Sequence, residues 1–181
     1  MKKKYNTPDL ILGYLKKKMV EGYFKRPILW DFVISTLIIG SLVFFQMKGL
    51  YHLPEVTKVI SVSDDIGTIG LTVSGFVITI ITILLTLKSG QILSEDELKN
   101  DSPPFKIFLA SSLYTRSIEI LKYGVILLVL VSMTSYILKM SLPDCLIQYM
   151  HYFNILGLVA ILATFLRSFY VLGKILKMQG D

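Results

Sequence analysis

The sequence predicts an all-α integral membrane protein with four transmembrane helices, an N-terminal interfacial helix, and a third span that extends into the cytoplasm. Three observations predict it. Of 181 residues, 53% are hydrophobic and the mean hydropathy is +0.62, too apolar for a soluble domain of this length. Four apolar runs lie at about 28–47, 66–87, 120–138 and 152–172, each close to the ~20 helical residues that a ~30 Å hydrocarbon core takes. Finally, the 19 Lys and Arg are unevenly placed: eight precede residue 27, four fall in 88–118, two in the tail, and only three in the two other loops. The remaining two, Lys122 and Arg167, sit inside spans. The positive-inside rule then puts both termini in the cytoplasm.

Residues 1–27 form a basic segment, with Lys2, Lys3, Lys4, Lys16, Lys17, Lys18, Lys25 and Arg26. Thr7-Pro8-Asp9 is a helix start: a cap, a proline at the first helical position, and an acid on the positive dipole end. Leu12, Leu15, Met19 and Tyr23 then share one face, which describes a helix lying on the inner leaflet. A basic topogenic tail with no other role fits the same residues. Lys16, Lys17, Lys18, Lys25 and Arg26 are the candidate contacts for a cytoplasmic ligand or for lipid. The first apolar run follows this long basic segment and is full length, so it is expected to stay as a spanning helix.

Residues 28–181 make the four-helix transmembrane domain. Pro27 can open the first span, and Trp30 suits the headgroup level. Asp31 is a carboxylate about one turn inside. An acid there is costly unless paired, and Arg26, Lys122 and Arg167 are candidate partners at similar depth. A structural ion pair is the simpler reading, a transport site the sharper one.

Residues 48–65 are expected to be a short outer loop. The second span, IGTIGLTVSGFVITIITILLTL at 66–87, holds no charge. Its polar positions Thr68, Thr72, Gly75, Thr79, Thr82 and Thr86 recur at spacings of four, three, four, three and four. At ~100° per residue they occupy a sector of roughly 80°. Asp64 and Ser61 continue the line outward, and Asp65 stands beside it. Ile66, Val73, Val77, Ile80 and Leu84 occupy the opposite face. Two readings of the stripe stand. Several copies around an axis would make it a wet pore wall, with Asp64 and Asp65 as a carboxylate ring that concentrates cations. Alternatively, threonines return their hydroxyls to the carbonyl four back, and small residues such as Gly67, Gly70 and Ser74 serve helix packing.

The loop at 88–118 carries a capping-box pattern at Ser94 and Glu97 and a stop-and-restart at Asp101-Ser102-Pro103-Pro104. From Pro104 no breaker appears until Pro143, which predicts one helix of about 36 residues, ~54 Å long, running from cytoplasm into membrane as a lever. In the fourth span Asn154, Gly157, Ala160 and Thr164 form a small-residue face, read as a packing seam.

Catalytic chemistry is not visible, and no cofactor or metal is implied. His52 and His151 have no partners at zinc spacing, Lys88-Ser89-Gly90 lacks the glycine spacing of a phosphate loop, and the single Cys145 excludes an intrachain disulfide. The net charge of +6 first reports orientation and contact with acidic lipid. A basic cytoplasmic surface also suits an anionic ligand, an oligonucleotide included, held by counterion release.

The layout, with Gly70 to Gly90 reading GLTVSGFVITIITILLTLKSG and the segment from Phe105 to Tyr114 leading into the third span, resembles small four-helix bacterial membrane proteins of anti-phage defence systems. The membrane effector of the Hailong system is the first resemblance and the membrane subunit of the Kiwa system the second. The first implies an oligomeric channel-like pore of the bacterial inner membrane, held shut by a cytoplasmic ligand or partner protein. The second implies a sensor docked to a cytoplasmic nucleic-acid-binding protein. Neither carries a functional residue over by position. The expected function is therefore a homo-oligomeric ion-conducting effector of four or more copies; the alternative is a non-conducting anchor or sensor for a soluble partner.

Overall fold

The computed structural model of the protein describes residues 22–23, 26–89 and 104–180. The predicted interfacial helix, with Lys16, Lys17, Lys18 and Lys25, lies outside the described residues, as do the Ser94 and Glu97 pattern and the turn at 101–103. Six helices are described: α1 (Pro27–Met47), α2 (Val56–Ser89), α3 (Pro104–Ala110), α4 (Ser112–Ser141), α5 (Asp144–Ile147) and α6 (Met150–Gly180). No strand occurs among the described residues. The fold is all-α, and α1, α2, α4 and α6 are long and apolar enough to cross a membrane.

Pro27 opens α1, where its missing N–H costs nothing. The helix ends in a Schellman turn. Leu50 N–H donates to Phe45 O and Gly49 N–H to Gln46 O, both at 3.0 Å. Gly49 supplies the positive φ of 71° that this closure requires.

The second helix starts ten residues earlier than the predicted span. Residues 56–65 are helical rather than loop, because they contain no Gly or Pro and their apolar positions have a surface to cover. Val59 is buried against Ile147 and Met150. Asp64 and Asp65 therefore stand on α2 itself.

The continuous lever does not form. Ser111 is extended (φ −83°, ψ 159°) and separates α3 from α4. Its N–H and its Oγ both donate to Phe108 O, at 3.0 and 2.7 Å. The break turns Phe108 and Leu109 into the core beside Leu84, Leu121, Val171 and Ile175. Burying two such side chains is worth about 1.5–3 kcal/mol each, more than the ~0.5–1.5 kcal/mol of each helical hydrogen bond given up. The expectation of a third span prolonged as one rigid rod is thus corrected to a jointed one.

Helices α2, α4 and α6 pack on one another, and α1 lies outside them, mainly on α6. Helix α4 runs antiparallel to α2 and α6, which run parallel to each other, Ser63 meeting Asn154 at one end and Leu84 clustering with Val171 and Ile175 at the other. Tyr114 OH, at the start of α4, donates to Leu84 O near the end of α2, and Ser135 Oγ donates to Ser63 O at the other end. Small residues set the spacing. Gly67 faces the Tyr136 ring, Gly70 faces Ser132, Gly124 faces Thr164, and Gly157 faces Ile66 and Val131. The expected seam of Asn154, Gly157, Ala160 and Thr164 is buried throughout, and Asn154 Nδ2 reaches Val59 O at 3.0 Å. A Cβ on Gly157 would meet Ile66 Cγ2 at 2.9 Å and Val131 Cγ1 at 3.1 Å, where three helices converge. Gly157→Val is therefore expected to cost about 1–3 kcal/mol by overpacking. Gly40→Val, with open space around it, serves as the control in a thermal-unfolding comparison in detergent.

Candidate functional site

The face opposite the stripe is core. Ile66, Val77, Ile80 and Leu84 are buried and Val73 is half-buried. Among the described residues, nothing covers the stripe itself. Thr68, Thr72, Gly75, Thr79, Thr82 and Thr86 are all exposed, and a Cβ on Gly75 would meet no atom within 4 Å. The intramolecular seam of α2 is a different set, Gly67, Gly70 and Ser74, all buried. Two small-residue stripes thus share one helix, one closed and one open.

The open stripe covers 18 residues of rise, ~27 Å, nearly the whole of a ~30 Å apolar layer. It is flanked by exposed apolar side chains, Leu71 and Ile78 along one edge and Phe76 and Ile83 along the other. Thr72, Thr79, Thr82 and Thr86 donate to the carbonyls of Thr68, Gly75, Ile78 and Thr82 at 2.8 to 3.1 Å. These bonds satisfy the hydroxyl protons, while each oxygen keeps acceptor capacity pointing outward.

At the end of the stripe the two acids differ. Lys139 Nζ, from α4, lies 2.7 Å from both carboxylate oxygens of Asp64. The pair is half-exposed and so worth only about 0–1 kcal/mol, but it offsets the Asp64 charge locally. Asp65 is exposed and carries more of the outward negative charge.

Asp31 is buried against α6, and its partner is Arg167. The Nη1 to Oδ2 distance is 2.6 Å, and the two side chains are 4% and 3% exposed. Tyr23 OH donates to Asp31 Oδ1 at 2.8 Å, and Arg167 Nη2 donates to Thr164 Oγ1 at 2.8 Å. Arg167 Nε is buried without a hydrogen-bond partner among the described residues. Burial pushes the Tyr23 phenol up to about 12, so it remains a donor at physiological pH. The other two candidate cations do not reach Asp31. Lys122 is exposed, with its Nζ 5.8 Å from the Tyr123 ring centroid, and Arg26 is exposed where α1 begins. Sequence reasoning missed Tyr23 as the third member, having placed it on an interfacial face. The signal was its position just ahead of Pro27, where the chain can fold back.

Among the described residues, no three His, Cys, Asp or Glu side chains gather as a metal site would require. His151 instead meets Tyr51 OH at 2.8 Å. The interior of the bundle is filled by Val77, Leu84, Leu121 and Leu128, each at most 1% exposed. Compared with known protein families, with curated proteins and with solved structures, the chain matches none.

Proposed function

We propose that the protein is an oligomeric, channel-like membrane effector. Several copies meet through the open face of α2 and conduct ions, cations by preference, when a cytoplasmic ligand or partner releases them. By the resemblance above, the setting is anti-phage defence at the bacterial inner membrane. The basic end of the bundle, with Arg26, Lys88, Arg116 and Lys174, faces the cytoplasm under the positive-inside rule. One observation carries the reading: a membrane-length line of threonines faces away from its own fold. A polar stripe not used for packing inside the chain is available to a pore or to a second copy.

The test is native mass spectrometry in mild detergent, followed by ion flux from proteoliposomes. Four or more copies with flux is the expected result. A stable monomer or dimer without flux would remove the central pore. Within a conducting assembly the mouth charges make a signed prediction. Asp65→Asn is expected to lower cation-over-anion preference about threefold, the effect of removing about one kT of potential. Lys139→Gln is expected to raise it, by freeing the Asp64 charge. Reversal potentials in a salt gradient read both.

A second reading, a non-conducting anchor or sensor for a soluble partner, has one observation in its favour. Four threonine hydroxyls already donate to their own backbone and so need no water. It predicts that charge reversal at Lys16, Lys17 and Lys18 abolishes function while changes along the stripe do not.

A further inference from the structure

At the basic end of the bundle α3 packs on α4 and α6. It is seven residues long. Isolated helices shorter than ~12–15 residues are marginal in water, so the helical form of α3 depends on its docking. That docking rests on Phe108 and Leu109, 7% and 0% exposed, which sit among Leu84, Leu121, Val171 and Ile175. Ile107 of the same helix points away from this core and is exposed. The extended Ser111 follows. It is a joint that can absorb a backbone rotation without bending α4.

Tyr114, buried at the start of α4, joins α3 to α2. Its ring meets Phe108 edge-on, with the centroids 6.0 Å apart. Its hydroxyl donates to Leu84 O at 3.1 Å, and Lys88 Nζ stands 4.5 Å from its ring centroid. Leu84 and Lys88 are one turn apart on α2, and Thr82 and Thr86 of the open stripe belong to the same stretch of helix. We propose that α3 is a latch. Docked, it fixes the last turns of α2 through Tyr114; undocked, it frees them, and with them the inner part of the threonine stripe. Resting on the conducting reading above, undocking of α3 is the step by which a cytoplasmic ligand or partner opens the assembly. Such a ligand acts by binding the undocked form more tightly than the docked one. The positive-inside rule puts this end of the bundle in the cytoplasm, within its reach.

The experiment is hydrogen–deuterium exchange of the full chain in detergent, read by mass spectrometry on peptides covering 84–89, with ion flux from proteoliposomes as a second arm. Leu109→Ala weakens the docking and is expected to speed exchange over 84–89 by about tenfold, a local opening that leaves the far end of α2 protected. Tyr114→Phe keeps the ring and deletes the hydroxyl. It is expected to speed exchange over 84–89 several-fold while 107–110 stay as protected as in wild type, which separates a latch from general loss of packing. Ile107→Ala, at the exposed position of α3, is expected to change neither. Unchanged exchange over 84–89 in Leu109→Ala overturns the latch. So does faster exchange spread evenly along α2, α4 and α6, or a Tyr114→Phe variant that exchanges like wild type. In the second arm Leu109→Ala is expected to pass ions several-fold faster than wild type with no ligand added. Flux in wild type with no gain in Leu109→Ala overturns undocking as the opening step. Flux in neither overturns the conducting reading, and the exchange pattern then decides the latch by itself.

Discussion

Arg167→Leu is expected to detach α1 from the bundle. Only Asp31 and Ser35 of α1 are buried, while Leu29, Phe32, Leu37, Phe44 and Met47 lie exposed. Hydrophobic area therefore contributes little to holding α1 in place, since lipid tails suit those side chains equally well. Two polar fastenings do more: the Asp31, Arg167 and Tyr23 cluster near one end, and a hydrogen bond from Tyr152 OH to Gln46 near the other. Removing the guanidinium leaves a buried carboxylate unpaired, a change that costs about 3–5 kcal/mol when one partner of a buried ion pair is lost. The check is a buried reporter. In a Cys145→Ser background, Ser35→Cys should resist maleimide in the otherwise unchanged protein and react quickly when Arg167→Leu is added. Removing both charges, Asp31→Leu with Arg167→Met, should restore most of the protection and stability. Buried pairs replaced by apolar residues of similar volume are often neutral. If the double variant labels as fast as the single, the pair is not what docks α1.

The second large effect is expected from Gly75→Leu. Inside one copy the change meets open space, and replacing a mid-helix glycine improves helix propensity by ~0.8–1.0 kcal/mol. The isolated bundle should therefore be as stable as before, or slightly more so. In an assembly with α2 innermost, each copy would add an isobutyl group at one level of the wall, and a ring of them narrows and dries that level. Flux is expected to fall by at least tenfold with the thermal midpoint held or raised. Thr79→Val with Thr82→Val keeps volume nearly constant and removes hydroxyls. It should alter conduction or gating less than Gly75→Leu does. Unchanged flux in both variants, with copy number also unchanged, would place the stripe against lipid and leave the anchor reading.

Much of the architecture was legible in the residues. The four spans follow from apolar run length, because a bilayer imposes ~20 residues on any helix that crosses it. Their alternating direction follows from the short loops and from the distribution of Lys and Arg. The faces of α2 were also legible, because helical periodicity alone sorts Val77, Ile80 and Leu84 from Thr72, Thr79 and Thr82. The break at Ser111 was not. No glycine or proline marks it, and it exists because Phe108 and Leu109 find a pocket among side chains from three other helices. The early start of α2 has the same origin: residues 56–65 lack a breaker, but it is α5 and the start of α6 that give Val59 a surface to cover.

The sequence by itself determined which residues are expensive in a membrane and therefore need an answer: Asp31, Arg167, and a line of six small or hydroxylic positions. Their chemistry and spacing are local properties. The tertiary structure decided what each answer is. It chose Arg167 over Lys122 and Arg26 because α1 docks on α6, and it set Lys139 against Asp64 because α4 runs beside α2. It closed Gly67, Gly70 and Ser74 while leaving the threonines open, because a helix in a three-helix core has only part of its circumference to give. Which part is buried depends on where the neighbouring helices lie, and that is a property of the whole chain rather than of any stretch within it.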